Sequence, residues 1–426
     1  MTEYKNMKID NIYIKLKGIY EENLLKNSMY LIMTNFSSMI IGFMFWMVAT
    51  RLYSSSDVGT VSAMLSSMIL ISIISCVGLP MAITLYLPTD VKNANGIINS
   101  CLIVGIIVSI IFSTIFILGI TIWAPKLVQV LGNLKLILMF IMATMMTTIS
   151  LLMSSMFTAG KRSSFQMFKE NTFGISKIFA LVLLPTYGAI GIFISWSTGL
   201  IIAMVVGFFL LFKLWRYVPM PVFDPIIKNM TKFSLASYIG ATLYNIPKFI
   251  FPIIIINSIS AESAGYFFIA MTVASIFYGV PEATAGPFLS ESSDTERFWN
   301  NVTKVIKFNM YLLIPGLLLL MIFGRFVLNV FNPIYAEHSF DTLIILAMAS
   351  IPISFIIIFI MIRNVQKRLS DGIKINMVVA TMSITLSVFL MRIWNIEGIA
   401  IGYLIANIIV AIIIIIQIKD QLLYKR

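Results

Sequence analysis

The sequence predicts an all-α, polytopic membrane protein of twelve spans arranged as two six-helix halves. Three observations carry that prediction: an apolar composition, twelve apolar runs of membrane-crossing length, and an internal repeat about 206 residues apart. The chain of 426 residues is 59% hydrophobic and 11% charged, with a mean hydropathy of +0.96. A run of about 20 apolar residues crosses the hydrocarbon core as a helix. In lipid the backbone must satisfy its own hydrogen bonds, which runs this long and apolar do as helices rather than as alternating barrel strands. The connections are short, which leaves no room for a soluble catalytic module.

The spans are expected at 29–50, 58–86, 97–123, 135–158, 172–187, 189–214, 234–257, 263–289, 305–330, 340–362, 375–392 and 396–418. Pro185-Thr186-Tyr187-Gly188 is the turn signal that divides spans 5 and 6. The chain thus divides into a lead-in (1–28), a first half (29–214), a connection (215–233), a second half (234–418) and a tail (419–426). An even number of spans puts both termini on one side. Lys and Arg choose the side: one set of faces carries Lys5, Lys8, Lys15, Lys17, Lys26, Lys92, Lys161, Arg162, Lys169, Lys213, Arg216, Lys228, Lys232, Arg297, Lys304, Lys307, Arg363, Lys367, Arg368, Lys374, Lys419, Lys425 and Arg426. The other carries only Arg51, Lys126, Lys135, Arg325 and Arg392. Basic residues concentrate in cytoplasmic loops, so both termini are expected in the cytoplasm and the protein in the cell membrane.

The net charge of +12 is accounted for by that asymmetry and does not call for nucleic acid. Cys76 and Cys101 lie inside apolar runs and read as small buried hydrophobes, not as a disulfide or metal pair. The amino terminus, with Lys5, Lys8, Asp10, Lys15 and Lys17, is too polar for a secretory signal.

The repeat is visible residue by residue. Ser28 matches Ser234, Ser54 matches Ser260, Asp57-Val58-Gly59 matches Ser263-Ala264-Gly265, and Lys161-Arg162 matches Lys367-Arg368. Gly191 and Trp196 fall opposite Gly398 and Tyr403, the offset slipping by one. Six spans per half is an even number, so the halves are parallel and related by an axis along the membrane normal. The cleft between two such lobes is the natural place for cargo. Pro219, Pro221 and Pro225 make the connection an extended linker. In the lead-in, Ile9, Ile12, Tyr13, Leu16, Ile19 and Tyr20 recur at helical spacing opposite Lys8, Lys15, Lys17 and Glu21, either as a helix on the cytoplasmic leaflet or as a plain entry to span 1.

Phe45-Trp46-Met47-Val48-Ala49-Thr50-Arg51-Leu52-Tyr53, followed by Ser54-Ser55-Ser56-Asp57-Val58-Gly59, resembles the polysaccharide flippases of the multidrug/oligosaccharidyl-lipid/polysaccharide (MOP) exporter superfamily. In that family the first span ends in an aromatic and Ala-Arg stretch, and a short loop with an acidic residue and Gly opens the second. Gly188-Ala189-Ile190-Gly191-Ile192 with Ser195-Trp196 is also similar to that family, whereas Thr50 departs from its usual Ala or Arg. The resemblance covers essentially the whole chain in length, span number and repeat, through packing and turn features rather than chemistry. It implies a MATE/MOP-like transporter that moves a polyprenyl-diphosphate-linked oligosaccharide between leaflets by alternating access. It implies no cofactor, with coupling to a proton or sodium gradient or to the membrane potential. The partners implied are the lipid-linked glycan, membrane lipids and polysaccharide assembly enzymes around a monomer, since the two lobes complete one another.

Flipping such a cargo requires a hydrated cationic cleft, because an unpaired diphosphate in low dielectric is strongly unfavourable. Lys248 is the sharpest candidate, about 15 residues or roughly 22 Å into span 7, beside Asn245, Pro247 and Pro252. It reads as a cavity-facing cation, with outward snorkelling or a structural pair as the alternatives. Lys177 in span 5 is a second candidate, although its expected position near the cytoplasmic end favours snorkelling. Asn35 and Asn407 could bind sugar hydroxyls or glue helices together. Glu282, in Gly279-Val280-Pro281-Glu282, reads as a coupling carboxylate at a broken helix or as a residue at the cytoplasmic interface. Arg51 and Asp57 read as a loop ion pair with Ser54 and Asp57 capping span 2, or as an exit gate. Gly78 and Pro80 in span 2, and Pro247 in span 7, mark hinges. The lone His338, beside Glu337, reads as a solvated loop residue, and no metal-ligand, nucleophile or phosphate-loop pattern is present in the sequence.

Other functions are weighed by the same residues. A cation-coupled drug exporter of the same superfamily is expected to hold a carboxylate in span 1 or span 7, and Met29–Thr50 and Ser234–Asn257 contain none. The basic signature of major-facilitator transporters is missing from Leu87–Gly96. A membrane glycan polymerase needs a sizeable outer loop. A non-transporting scaffold for envelope glycan enzymes remains open and would use the amphipathic lead-in.

Overall fold

The structure is a computed structural model that describes residues 2–290, 295–366 and 368–423. Among the described residues it consists of helices and turns, with no strand. Ten helical stretches are long and apolar enough to cross a membrane. Two further observations bring the crossing helices to the expected twelve. Span 5 is Ser163–Leu183, 21 residues whose hydropathy is lowered by Lys169, Glu170 and Lys177, yet it packs between spans 1 and 6. The stretch Leu369–Gln417 is 49 residues long and turns back on itself at Trp394 and Asn395, which are not helical. There the Ser387 hydroxyl donates to the carbonyl of Ile399 at 2.8 Å. Residues twelve apart on one straight helix would be about 18 Å apart, so spans 11 and 12 form a hairpin.

The repeat extends to backbone detail. The turn between spans 5 and 6 holds Gly188 at φ 54° and ψ −139°, and the turn between spans 11 and 12 holds Asn395 at φ 47° and ψ −128°. The Ser54 hydroxyl caps span 2 by accepting from the Asp57 amide at 3.1 Å, and the Ser260 hydroxyl caps span 8 by accepting from the Ser263 amide at 3.1 Å. Gly191 lies against the carbonyl of Leu184, and Gly398 against that of Leu390. Phe45 meets Trp196 with ring centroids 5.6 Å apart, and Phe251 meets Tyr403 at 5.9 Å. Span 1 packs on span 5, as span 7 packs on span 11. The Lys367 member of the Lys161-Arg162 match lies outside the described residues.

The halves meet at the face opposite the termini and again towards the face of the termini. Span 2 (Ser55–Ser75) crosses span 8 (Ala261–Ser290) where Gly59 and Gly265, repeat equivalents, come into backbone contact. A Cβ on Gly265 would lie 2.6 Å from the carbonyl oxygen of Ser55, so only glycine permits this approach. Span 2 is rich in serine for the same reason. Its buried Ser62, Ser67, Ser72 and Ser75 satisfy their hydroxyls on carbonyls three or four residues back, keeping the helix thin without orphaned groups. Nearby, Arg51 donates to the carbonyl of Val330 at 3.0 and 2.8 Å, Thr50 donates to Phe331 O at 3.2 Å, and Asn332 donates to Thr50 O at 3.2 Å. Asn257 at the end of span 7 accepts from the Lys126 amide at 3.2 Å and donates to Trp123 O at 3.0 Å. Towards the other face, the halves touch where Tyr238 of span 7 donates to Ile73 O and where Ser234 abuts Gly78.

Several expectations change. Span 8 is one unbroken helix through Pro281 and Glu282, and span 7 continues through Pro247 and Pro252 within Ile226–Ser258. Proline removes one donor, but in these helices the chain continues past it. The break at Gly78 and Pro80 is real: Val77 (φ 45°) and Gly78 (φ 80°) separate Ser55–Ser75 from Leu79–Tyr86. The extended connection is confined to 216–224 and is fastened down rather than free. Asn99 donates to Val218 O at 2.9 Å and accepts from Tyr217 at 2.9 Å, Ser100 accepts from the Asp224 amide at 2.6 Å, and Asn93 donates to the Asp224 carboxylate. The lead-in belongs to the helix Thr2–Leu52, and the orientation of its apolar and basic side chains lies outside the described residues.

Candidate functional site

Span 7 delivers the central residues of the candidate site. Gly240, Ala241, Tyr244, Asn245 and Lys248 recur at helical spacing, so they share one face. That face lines a cavity of about 630 Å³ that also takes Glu282 from span 8, Met361 and Asn364 from span 10, Gly372 and Asn376 from span 11, and Met81 from the first half. Asn364 and Gly372 sit at the ends of spans 10 and 11 that share the face of the termini, so the cavity lies towards that face. Among the described residues its wall is mostly the second half of the chain, with Met81 from the first, rather than an even cleft between two lobes.

Lys248 sits in this cavity with its side chain 18% exposed, and its ammonium is 3.7 Å from Oε1 of Glu282. The phenol of Tyr244 donates to the same oxygen at 3.0 Å. The ammonium lies 4.4 Å from the Tyr244 ring centre and 5.5 Å from that of Tyr278, whose own hydroxyl is spent on Leu346 O at 2.7 Å. Two aromatic faces and one carboxylate therefore meet the charge. Two residues that the sequence suggested for separate roles, Lys248 and Glu282, form one pair. Asn245 lines the cavity while donating to Ala241 O at 2.9 Å, which leaves its carbonyl oxygen to accept. Asn376, which sequence reasoning passed over, donates to Gly240 O at 2.9 Å and leaves its side-chain oxygen buried without a partner. Tyr244 and Tyr278 stand four residues before Lys248 and Glu282, so helical spacing was the signal that could have found them.

Lys177 does not snorkel. Span 5 begins at Ser163 rather than near 172, which puts Lys177 much deeper than expected. Its ammonium lies 4.6, 4.5 and 3.9 Å from the ring centres of Phe45, Phe173 and Trp196, and the residue is 5% exposed. Lys169 and Arg363, both counted by sequence among the basic residues of the cytoplasmic faces, are also buried. The Lys169 ammonium donates to Ser150 O, Ser150 Oγ and Ser154 Oγ at 2.8, 2.7 and 2.9 Å and pairs with Glu170 at 2.9 Å. Arg363 pairs with Asp371 at 3.6 Å and stacks over Phe359. Thr284, Asn309 and Ser354 form a hydrogen-bonded chain joining spans 8, 9 and 10, at 2.7 and 3.0 Å.

The remaining sequence candidates lie elsewhere. Asn35 is exposed on span 1, and Asn407 is buried in span 12, donating to Tyr403 O at 2.8 Å. Arg51 and Asp57 are not an ion pair: Arg51 reaches across to span 9, while Asp57 caps span 2 and accepts from the Ala189 amide at 2.8 Å, so it fastens the start of span 6. His338 is exposed but stacks on Tyr266 with centroids 4.9 Å apart. Among the described residues no group of His, Cys, Asp and Glu could hold a metal ion, and Cys76 and Cys101 are free and buried.

The fold has close counterparts among solved structures. An inward-facing multidrug resistance MATE family transporter of the MOP superfamily superposes with a TM-score of 0.71 at 13% identity, covering 91% of this chain and 96% of that one. The lipid II flippase MurJ in an inward closed conformation superposes with a TM-score of 0.73 at 16% identity, covering 92% and 87%. Identity this low supports the shared fold alone. No curated protein sequence matches the chain. A family model described as polysaccharide biosynthesis protein matches residues 24–239, half of the chain, including the span 1 to span 2 motif and the repeat turn at Gly188. With twelve helices in two parallel six-helix halves, the chain belongs to the polysaccharide biosynthesis protein family.

Proposed function

We propose that the protein moves a polyprenyl-diphosphate-linked oligosaccharide across the cell membrane by alternating access, with both termini in the cytoplasm. The observation that carries the reading is Lys248, a cation held inside the membrane-spanning bundle in a cavity of about 630 Å³ beside Asn245 and Asn376. An intramembrane ionisable residue facing a cavity marks a cargo path, and an ammonium selects anions. Lys248 would hold the diphosphate, while the amide oxygen of Asn245 would accept a hydrogen bond from a sugar hydroxyl. The cavity lies towards the face of the termini, where such a cargo would be loaded. The resemblance to a lipid II flippase supports a lipid-linked cargo.

Glu282 gives a second reading some footing. A half-exposed carboxylate in the cavity would suit a cation-coupled exporter, in keeping with the MATE fold. Leaflet-resolved transfer of a fluorescent polyprenyl-diphosphate oligosaccharide in liposomes separates the two. The proposal expects transfer by the wild type and its loss in Lys248→Gln with the melting temperature kept. Transfer that is indifferent to Lys248, alongside proton-driven export of a cationic dye, would favour the exporter.

A further inference from the structure

The pairing of Lys248 with Glu282 is lopsided in a way that points to exchange. The lysine is enclosed, 18% exposed and roofed by the Tyr244 and Tyr278 rings, whereas the glutamate is 47% exposed. The separation of 3.7 Å is longer than the roughly 2.7–2.9 Å of a tight charge-assisted hydrogen bond. The carboxylate is steadied instead by Tyr244 at 3.0 Å. Among the described residues lining the cavity Glu282 is the one acid, and Asp371, near the start of span 11, is engaged with Arg363. The ammonium therefore has one anionic partner, and that partner can leave into the open cavity without being stranded in low dielectric.

We propose that Glu282 is a resident anion in the Lys248 site. The anionic headgroup of the cargo displaces it on entry, and its return to Lys248 expels the cargo at release. The inference rests on the reading of Lys248 as the cation that meets the cargo, and it adds what occupies that cation between cargoes. Exchange of one anion for another never leaves Lys248 uncompensated inside the bundle, which is the costly condition for a buried charge. It also prevents a bare ammonium from holding a diphosphate too tightly to turn over. Selectivity follows from the same balance: a diphosphate, carrying more than one charge, outcompetes a single carboxylate, and a neutral lipid-linked sugar does not.

The test is direct binding of farnesyl diphosphate and of inorganic diphosphate to the full chain in nanodiscs by calorimetry. If Glu282 holds Lys248 about nine-tenths of the time, Glu282→Gln raises the apparent affinity about tenfold, because a site competent for only a tenth of the time binds that much more weakly. Lys248→Gln weakens binding at least as much, and the double variant behaves like Lys248→Gln. Farnesol, which has no charge, binds all four proteins alike. Glu282→Cys gives a check in which the charge is changed on one folded protein, since Cys76 and Cys101 are buried and the new thiol is the one open to reagent. A sulfonate-bearing methanethiosulfonate then returns the affinity to the wild-type value, and the ammonium-bearing reagent does not. If Glu282→Gln binds no tighter while Lys248→Gln still loses binding, displacement is wrong and the cationic site stands. Equal affinity after the two labels overturns displacement in the same way. If Lys248→Gln binds as the wild type does, the cargo reading of Lys248 fails and this inference fails with it.

Discussion

Gly265→Ala tests how the two halves are joined. A methyl group built on Gly265 lies 2.6 Å from the carbonyl oxygen of Ser55 and 3.1 Å from the Gly59 nitrogen. An ordinary carbon to oxygen contact needs about 3.3 Å, so spans 2 and 8 must part by roughly 0.7 Å at this crossing. The obstacle is backbone, which cannot rotate away as a flexible side chain would. Overpacking of this kind costs about 1–3 kcal/mol, and it burdens only the form in which the two glycines touch. Taking about 2 kcal/mol, the balance between the closed and open arrangements of that face shifts roughly thirtyfold. Nitroxide labels at Lys135 and Glu337, exposed positions on that face in the two halves, report the separation by pulsed electron resonance after Cys76 and Cys101 are replaced by serine. A longer-distance population is expected to appear in Gly265→Ala and to be larger in Gly59→Ala, whose methyl would run into the carbonyl oxygen of Ala261. The double variant is expected to fall short of additivity because both methyls relieve one contact. An unchanged distance distribution in both single variants, with the protein still folded, would refute the crossing as the latch.

Other perturbations follow from buried charge and backbone geometry. Lys177→Met is expected to melt at the same or a higher temperature, since replacing a buried charge by an apolar side chain of similar length is often neutral or stabilising by about 1–4 kcal/mol; a lower melting temperature would mean that the three-ring cage stabilises the fold. Lys169→Ala is expected to lose most of the folded yield in fluorescence-detected size exclusion, because it strips three hydrogen bonds and leaves Glu170 unpaired, at a cost of about 3–5 kcal/mol. Asn395→Gly is expected to raise the melting temperature by relieving a backbone conformation only glycine adopts freely (φ 47°, ψ −128°), which contributes about 1–3 kcal/mol of strain. The converse change, Gly188→Asn, is expected to destabilise, since a Cβ there would also lie 2.8 Å from Asp57 Oδ1.

The sequence by itself determined the class, the twelve crossings and the parallel repeat. Those features depend on local composition, on the length of hydrocarbon to be crossed, and on an offset that can be read along one strand of text. It also placed Lys248 well away from both ends of span 7, because helical rise converts residue number into depth. Where a boundary was misplaced, depth was misread: starting span 5 near 172 made Lys177 a surface residue, and the true start at Ser163 hides it under Phe45, Phe173 and Trp196. Pairing was beyond reach for a different reason. Lys248 with Glu282, Arg51 with the carbonyl of Val330, and Gly59 with Gly265 join residues on different helices, and nothing in local sequence sets the rotation of one helix against another. Side-chain packing across the whole bundle sets those rotations. The membrane fixes that the helices cross, and only the tertiary structure decides which faces meet, which charges find partners, and where a polar cavity is left between them.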